Sequence, residues 1–156
     1  MNNSRLLREY RFKFYLNASH SIIINGRRGE IHPHTWEITL DIVVERSDFM
    51  EFNAYEKAAQ SFFAQYQDRI LNDLEPFDVV IPTLENIVEY FGERLREIMR
   101  DVDGELVRIE GSETPTRSYV VTYSKDDQYM TDIRQKTDKT LDRVIDEMLE
   151  SVLNED

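Results

Sequence analysis

The chain contains three histidines, His20, His32 and His34, and all of them fall in two segments that read as neighbouring strands. Alternation along a strand sets Tyr10, Phe12, Phe14, Leu16, Ala18 and His20 on one face, with Arg11, Lys13, Tyr15, Asn17 and Ser19 on the other. In the second segment His32, His34, Trp36, Ile38, Leu40, Ile42 and Val44 share a parity, so every histidine continues an apolar face. Between the two lies Asn25-Gly26-Arg27-Arg28-Gly29, which supplies the positive φ angles of a hairpin connection. A turn centred near Gly26 sets His20 opposite His32. One histidine on an apolar face is more often a core residue with its hydrogen bond satisfied, but three on matching parity in one hairpin point to a metal. Three imidazoles leave a fourth tetrahedral position open, as in catalytic zinc sites. Iron, nickel and copper also suit neutral imidazole, so zinc is the expectation by frequency.

The elements around this hairpin are legible from periodicity. After Glu45 the apolar period changes from two to about 3.6: Phe52, Tyr55, Ala59, Phe62, Phe63, Tyr66 and Ile70 form one stripe behind Ser47-Asp48 as a cap. This predicts a helix of about six turns. A breaker-rich connection, Leu71-Asn-Asp-Leu-Glu-Pro-Phe, precedes Pro82-Thr83, which opens a second helix carrying Leu84, Ile87, Val88, Phe91, Leu95, Ile98 and Met99, with Thr83 as its N-cap. Asp103-Gly104 ends it. Leu106–Ile109 and Ser118–Tyr123 then read as strands around Gly111-Ser-Glu-Thr-Pro. The order is strand, strand, helix, helix, strand, strand, which predicts an α+β sandwich with both helices on one face of a sheet. From about Tyr129 a narrow stripe of nearly heptad spacing, including Leu141, Ile145, Met148 and Val152, predicts a further amphipathic helix for packing or oligomerisation. The expected organisation is one domain over residues 1–125 and an acidic C-terminal helix over 126–156.

With 156 residues, 40% hydrophobic and 32% charged, the chain suits one globular domain with an appended helix. No stretch approaches the roughly 20 apolar residues of a membrane span. A net charge of -12 argues against a nucleic-acid surface. Half of it is local, since residues 126–156 hold ten acidic and four basic side chains. An anionic small substrate stays compatible with Arg27 and Arg28 beside the histidines, although a solvated turn explains them equally. The opening Met-Asn-Asn-Ser-Arg-Leu-Leu-Arg has no apolar signal region, and with no cysteine in the chain the expected location is the cytoplasm.

Four pieces, in order, give the chain a family likeness: Ala18-Ser-His20, His32-Pro-His34, Pro82-Thr-Leu-Glu-Asn86 and Ser112-Glu-Thr114. Over residues of about 10 to 123 the chain resembles the 6-pyruvoyl-tetrahydropterin synthases and the related 6-carboxytetrahydropterin synthases. The resemblance implies the tunnelling fold, a four-stranded antiparallel sheet with two helices on one face, here with an extra C-terminal helix. It implies homo-oligomers, usually hexamers, built by joining sheet edges into barrels with active sites at subunit interfaces. It implies that His20, His32 and His34 bind zinc and that Glu113 anchors the pterin by accepting from its amino group and ring N–H, a two-donor edge that a carboxylate matches. Glu110 is the second choice for that anchor. Thr83, Arg27 and Arg28 are the remaining substrate-binding candidates, the arginines for phosphate.

The resemblance breaks at the proton-transfer groups. Where the family has a cysteine general base, four residues before the first histidine of its His-Gly-His pair, this chain has Arg28. Where the family has Asp-His before Leu-Asn-Asp, the chain reads Gln67-Asp68-Arg69-Ile70. Glu30, two residues before His32, is the substitute base, as in a subgroup of the family in which a glutamate near this position takes over and the side chain of dihydroneopterin is cleaved. Burial would raise its pKa towards neutrality, while a metal cation and two arginines would lower it. Asp68 is a weaker candidate for proton relay. The expected activity is that of a zinc-dependent carbon–oxygen or carbon–carbon lyase on 7,8-dihydroneopterin triphosphate or a related pterin. The alternative is a catalytically degenerate pterin- or metal-binding protein of the same fold.

Overall fold

The computed structural model describes residues 8–44, 52–123 and 145–150. The chain divides into two units, Met1–Thr122 and Tyr123–Asp156. In the first, β1 (Tyr10–His20) runs antiparallel to β4 (His32–Val44), joined by a small hairpin of β2 (Ile23–Ile24) and β3 (Arg27–Arg28). Asn25 and Gly26 take φ of 52° and 75° at its tip, the left-handed pair that a two-residue turn requires. The anticipated register holds, with His20 opposite His32 and Ala18 opposite His34.

Helix α1 (Phe52–Phe63) and helix α2 (Leu84–Arg100) supply the cover, and β6 (Gly104–Thr114) and β7 (Arg117–Thr122) complete the sheet. The main sheet has the order β5-β1-β4-β6-β7, where β5 is the two-residue Arg69–Ile70. Four long strands therefore carry the fold, and a short fifth one lies parallel beside the end of β1. The architecture is α+β, as expected.

Alternation along β1 and β4 buries Phe12, Phe14, Leu16, Trp36, Ile38, Leu40 and Ile42. Against them pack Ile87, Val88, Phe91 and Leu95 of α2, with Phe62, Phe63, Tyr66 and Phe77 around Phe91 in an aromatic cluster. Gly111 marks the closest approach of sheet and helix, because a Cβ there would lie 2.3 Å from Val88 Cγ2.

Two expectations are corrected. Helix α1 spans 12 residues, half the length that its apolar stripe suggested. Tyr66 and Ile70 are still half-buried or buried, but the chain leaves the helix first: Asp68 takes φ of 58°, its N–H donates to Asn17 O at 2.7 Å, and Arg69–Ile70 pairs with β1. Pairing with an unfilled strand edge outcompetes helical continuation there. Strand β6 also runs through Gly111–Thr114, so the turn shrinks to the residues around Pro115-Thr116. The Ser47-Asp48 cap lies outside the described residues, as does most of the C-terminal segment; residues 145–150 are helical, with Ile145, Met148 and Leu149 exposed. No helix among the described residues is long and apolar enough to cross a membrane.

Candidate metal centre

The three histidines meet where β1 ends and β4 begins. Their ring centroids lie 4.5 to 5.0 Å apart. His20 is fully buried, while His32 and His34 are half-buried, and the indole of Trp36 lies beneath His20 and His34 at 5.1 Å from each. Nδ1 of His20 stands 2.7 Å from the carbonyl oxygen of Pro82, and Nδ1 of His32 stands 3.0 Å from that of Glu30. A carbonyl only accepts, so each of these Nδ1 atoms carries the proton and each Nε2 presents a lone pair.

Glu113 joins them from β6. Ile109, Gly111 and Glu113 share the helix-facing parity, and the register shift between Ser112 and Thr114 leaves Glu113 at a bulge, which re-aims its side chain. Its Oε1 lies 2.9 Å from His34 Nε2 and 3.2 Å from His20 Nε2. One donor atom from each of His20, His32, His34 and Glu113 falls within 4.8 Å of every other. Despite the short distances, His20 Nε2 and His34 Nε2 are buried without a hydrogen-bond partner among the described residues. Burial lowers the pKa of both rings below the ordinary 6.5, partly opposed for His20 by the Pro82 hydrogen bond and for both by the charge of Glu113. Buried, unpartnered ring nitrogens converging beside a carboxylate fit a divalent cation, and the nitrogen-rich donor set fits zinc.

Two asparagines hold this end of β1. Asn72 accepts from Ser21 N–H at 2.8 Å and donates to Ser21 O at 2.9 Å, gripping the residue after His20. Asn86 donates its side-chain amide to Ile81 O at 2.8 Å and its backbone N–H to Thr83 Oγ1 at 3.2 Å, which fixes the turn presenting the Pro82 carbonyl to His20. Neither was singled out from the sequence as a site residue, although both lie in the motifs Leu71-Asn-Asp73 and Pro82-Thr-Leu-Glu-Asn86. Their signal was position inside a motif, without a chemistry to attach to it.

The other candidates lie around the cluster. Asp68 is exposed and shares a cleft of about 420 Å³ with His34, Ala18, Ser19, Pro33 and Thr35. Thr83 is the N-cap of α2, with its hydroxyl turned to Asn86 N–H. Arg28 donates to Ser21 Oγ at 3.0 Å and borders a smaller hollow of about 170 Å³ with Asn72, Asp73 and Phe77. Arg27 is exposed on β3. Glu30 is also exposed; it precedes β4, and it reaches the cluster through its backbone carbonyl. Glu110 has the opposite parity to Glu113, and its charge acts on Arg11 on the helix-free face.

A family model described as 6-pyruvoyl tetrahydropterin synthase matches residues 9–126. The chain belongs to this family. Solved structures agree in fold. A Caenorhabditis elegans 6-pyruvoyl tetrahydropterin synthase is similar at a TM-score of 0.63 and 17% identity, covering 74% of this chain and 94% of that one. A Plasmodium falciparum 6-pyruvoyl tetrahydropterin synthase is similar at 0.56 and 16%, covering 73% and 96%. A Plasmodium vivax 6-pyruvoyltetrahydropterin synthase, described as a catalytic residue mutant with glutamate replaced by alanine, is similar at 0.53 and 16%, covering 73% and 97%. No curated protein matches the chain. At these identities the structural likeness shows the fold, while the family model places the histidine cluster within a pterin synthase domain.

Proposed function

We propose that this protein is a zinc-dependent lyase acting on the side chain of 7,8-dihydroneopterin triphosphate or of dihydroneopterin itself. The observation that carries this reading is the convergence of one donor atom from each of three histidines in a member of a pterin synthase family. A divalent cation held there supplies Lewis acidity to the hydroxyl or carbonyl oxygens of the substrate side chain, lowering the cost of removing a neighbouring proton. Pro82 and Glu30 hold His20 and His32 in the tautomer that presents Nε2. Glu113 accepts from the amino group and ring N–H of the pterin, and its place on β6 beside the histidines supports that role over Glu110.

Glu30 is the general base. It stands at the mouth of the hairpin, with its backbone carbonyl tied to His32, which keeps it next to the cluster in the chain. The P. vivax relative, described by a glutamate catalytic residue, supports a glutamate in that type of role. Asp68, in the cleft with His34, relays the proton. Thr83 contributes its hydroxyl to substrate binding, and Arg27 and Arg28 meet phosphate where the substrate carries it. Residues 1–125 form the pterin-binding domain and 126–156 an appended helix. Assembly into a cytoplasmic homohexamer with sites between subunits is part of the proposal; the outer strand β7 offers an edge for pairing.

Incubating the zinc-loaded protein with each pterin and separating the products tests the reading. Zinc-dependent shortening or rearrangement of the side chain is expected, with Glu30→Gln reducing the rate by about 10²–10⁴-fold. Unchanged turnover in Glu30→Gln would remove Glu30 from the mechanism. A second reading, a pterin- or metal-binding protein without the reaction, draws on the absence of cysteine and on the exposure of Glu30 and Asp68. Tight pterin binding with no product over a long incubation would decide for it.

A further inference from the structure

We infer that Glu113 is itself the fourth metal donor in the substrate-free protein, and that the centre opens only when the pterin draws this carboxylate away. The inference rests on the proposed metal centre and concerns the state that precedes its chemistry. His20 Nδ1 faces the carbonyl of Pro82 at 2.7 Å, so the proton sits there and Nε2 is a lone pair. That lone pair faces Glu113 Oε1 at 3.2 Å, and a second nitrogen, His34 Nε2, faces the same oxygen at 2.9 Å. A carboxylate oxygen has no proton to offer the His20 lone pair, and among the described residues His20 Nε2 has no hydrogen-bond partner. Lone pairs crowded this closely repel unless a cation lies among them.

The spacing fits that arrangement. Zinc bonds to imidazole and carboxylate are about 2.0–2.1 Å, which makes the edge of a regular tetrahedron about 3.3 Å. The two contacts of Oε1 lie within a few tenths of an ångström of that edge, while the wider spacings of the four-donor set, up to 4.8 Å, close around the cation. Glu113 then has two successive partners: the cation before substrate arrives, and the amino and ring N–H donors of the pterin afterwards. Transfer of one carboxylate between them frees a coordination position only when the correct ring is present. This links ring recognition to activation and keeps water from the open position in the empty enzyme.

The test compares the full-length protein with Glu113→Gln, using zinc and cobalt(II) as probes. In metal-free protein, a glutamine amide donates a hydrogen bond to an imidazole lone pair, so Glu113→Gln should melt no lower than the unaltered chain. With zinc present its gain in Tm should be smaller, and its zinc affinity lower by at least about tenfold. The cobalt(II) spectrum should change with the substitution, and adding a pterin ring without a side chain should change the wild-type spectrum but not that of the variant. Glu113→Asp, which keeps the charge and draws the oxygen back, should fall between the two in zinc affinity. A simple ion pair between Glu113 and a protonated histidine would give the reverse: a metal-free variant that melts lower, with zinc affinity and cobalt spectrum untouched. That result, or a wild-type spectrum indifferent to the pterin, overturns the inference. None of these readouts needs turnover, so a protein that passes them and still forms no product would overturn the lyase reading alone.

Discussion

At the residue scale the centre depends on which nitrogen of each ring carries the proton. Pro82 settles this for His20 and Glu30 for His32, each through a backbone carbonyl that no side-chain substitution removes directly. Replacing a ligand does remove a donor, so His34→Ala should lose tight metal binding altogether, read by chelator competition, while the metal-free protein stays folded because His34 is only half-buried. The convergence of the three histidines was legible because strand parity is a period of two and cannot drift. The same parity separates Glu113 from Glu110, with the bulge at Ser112/Thr114 as the detail that no periodicity reveals. The exposure of Glu30 was not legible: a residue two before His32 shares its face only if strand already runs there, and the chain is still leaving the small hairpin, closed by Gly29 N–H on Ile22 O at 2.9 Å.

At the scale of elements, the end of β1 is clamped by Asn72 from the turn after β5 and by Asn86 from the first turn of α2. Asn72→Ala strips the partners of the backbone N–H and C=O of Ser21, a fully buried residue. Leaving a buried N–H unpaired costs about 1–3 kcal/mol. The same variant should lower metal affinity by about 10–100-fold, the usual effect of losing an outer support of a ligand. Denaturant unfolding and chelator competition read the two effects separately; a variant that loses stability and keeps affinity would show that the clamp does not reach His20. Gly111→Ala forces β6 away from Val88 and should cost about 1–3 kcal/mol, measurable by the same unfolding curves. A third tie joins the end of α2 to the start of β6, where Arg100 donates to Glu105 at 2.9 and 3.0 Å. The Arg100 hydrogen bonds hold the Glu105 pKa below its ordinary 4.5. The unfolded chain therefore takes up that proton first, so the stabilisation is full above about pH 4.5 and fades as pH falls through the lower folded value. Glu105→Gln should flatten the acid limb of a Tm-against-pH curve. The two helices and four long strands followed from periodicity. The length of α1 did not, because its apolar stripe continues past the helix into Tyr66, which packs among Phe62, Phe77 and Phe91, and Ile70, which pairs with β1.

For the whole molecule, the sheet has one face for the core and one for solvent or a neighbour. The helix-free face carries cross-strand pairs, Arg11 to Asp41 at 2.7 Å and Lys13 to Glu37 at 3.1 Å, with Thr35 to Asn17 at 2.7 Å. Such pairs satisfy a polar face without a second apolar layer. The fold class was readable because strand and helix periods differ, and the family was readable from four short motifs in order. Which proton-transfer groups replace the missing cysteine was not, because a carboxylate at a loop mouth has the same sequence signature whether it reacts or is solvated. A metal that binds only the folded chain should raise its Tm in proportion to the logarithm of free metal.

The most direct measurement is anomalous diffraction at the zinc edge from crystals of the zinc-loaded protein. One strong peak is expected among His20, His32 and His34, about 2.0–2.1 Å from a nitrogen of each ring. Zinc bound elsewhere, with these histidines hydrogen-bonded to Glu113 or to water alone, would contradict it.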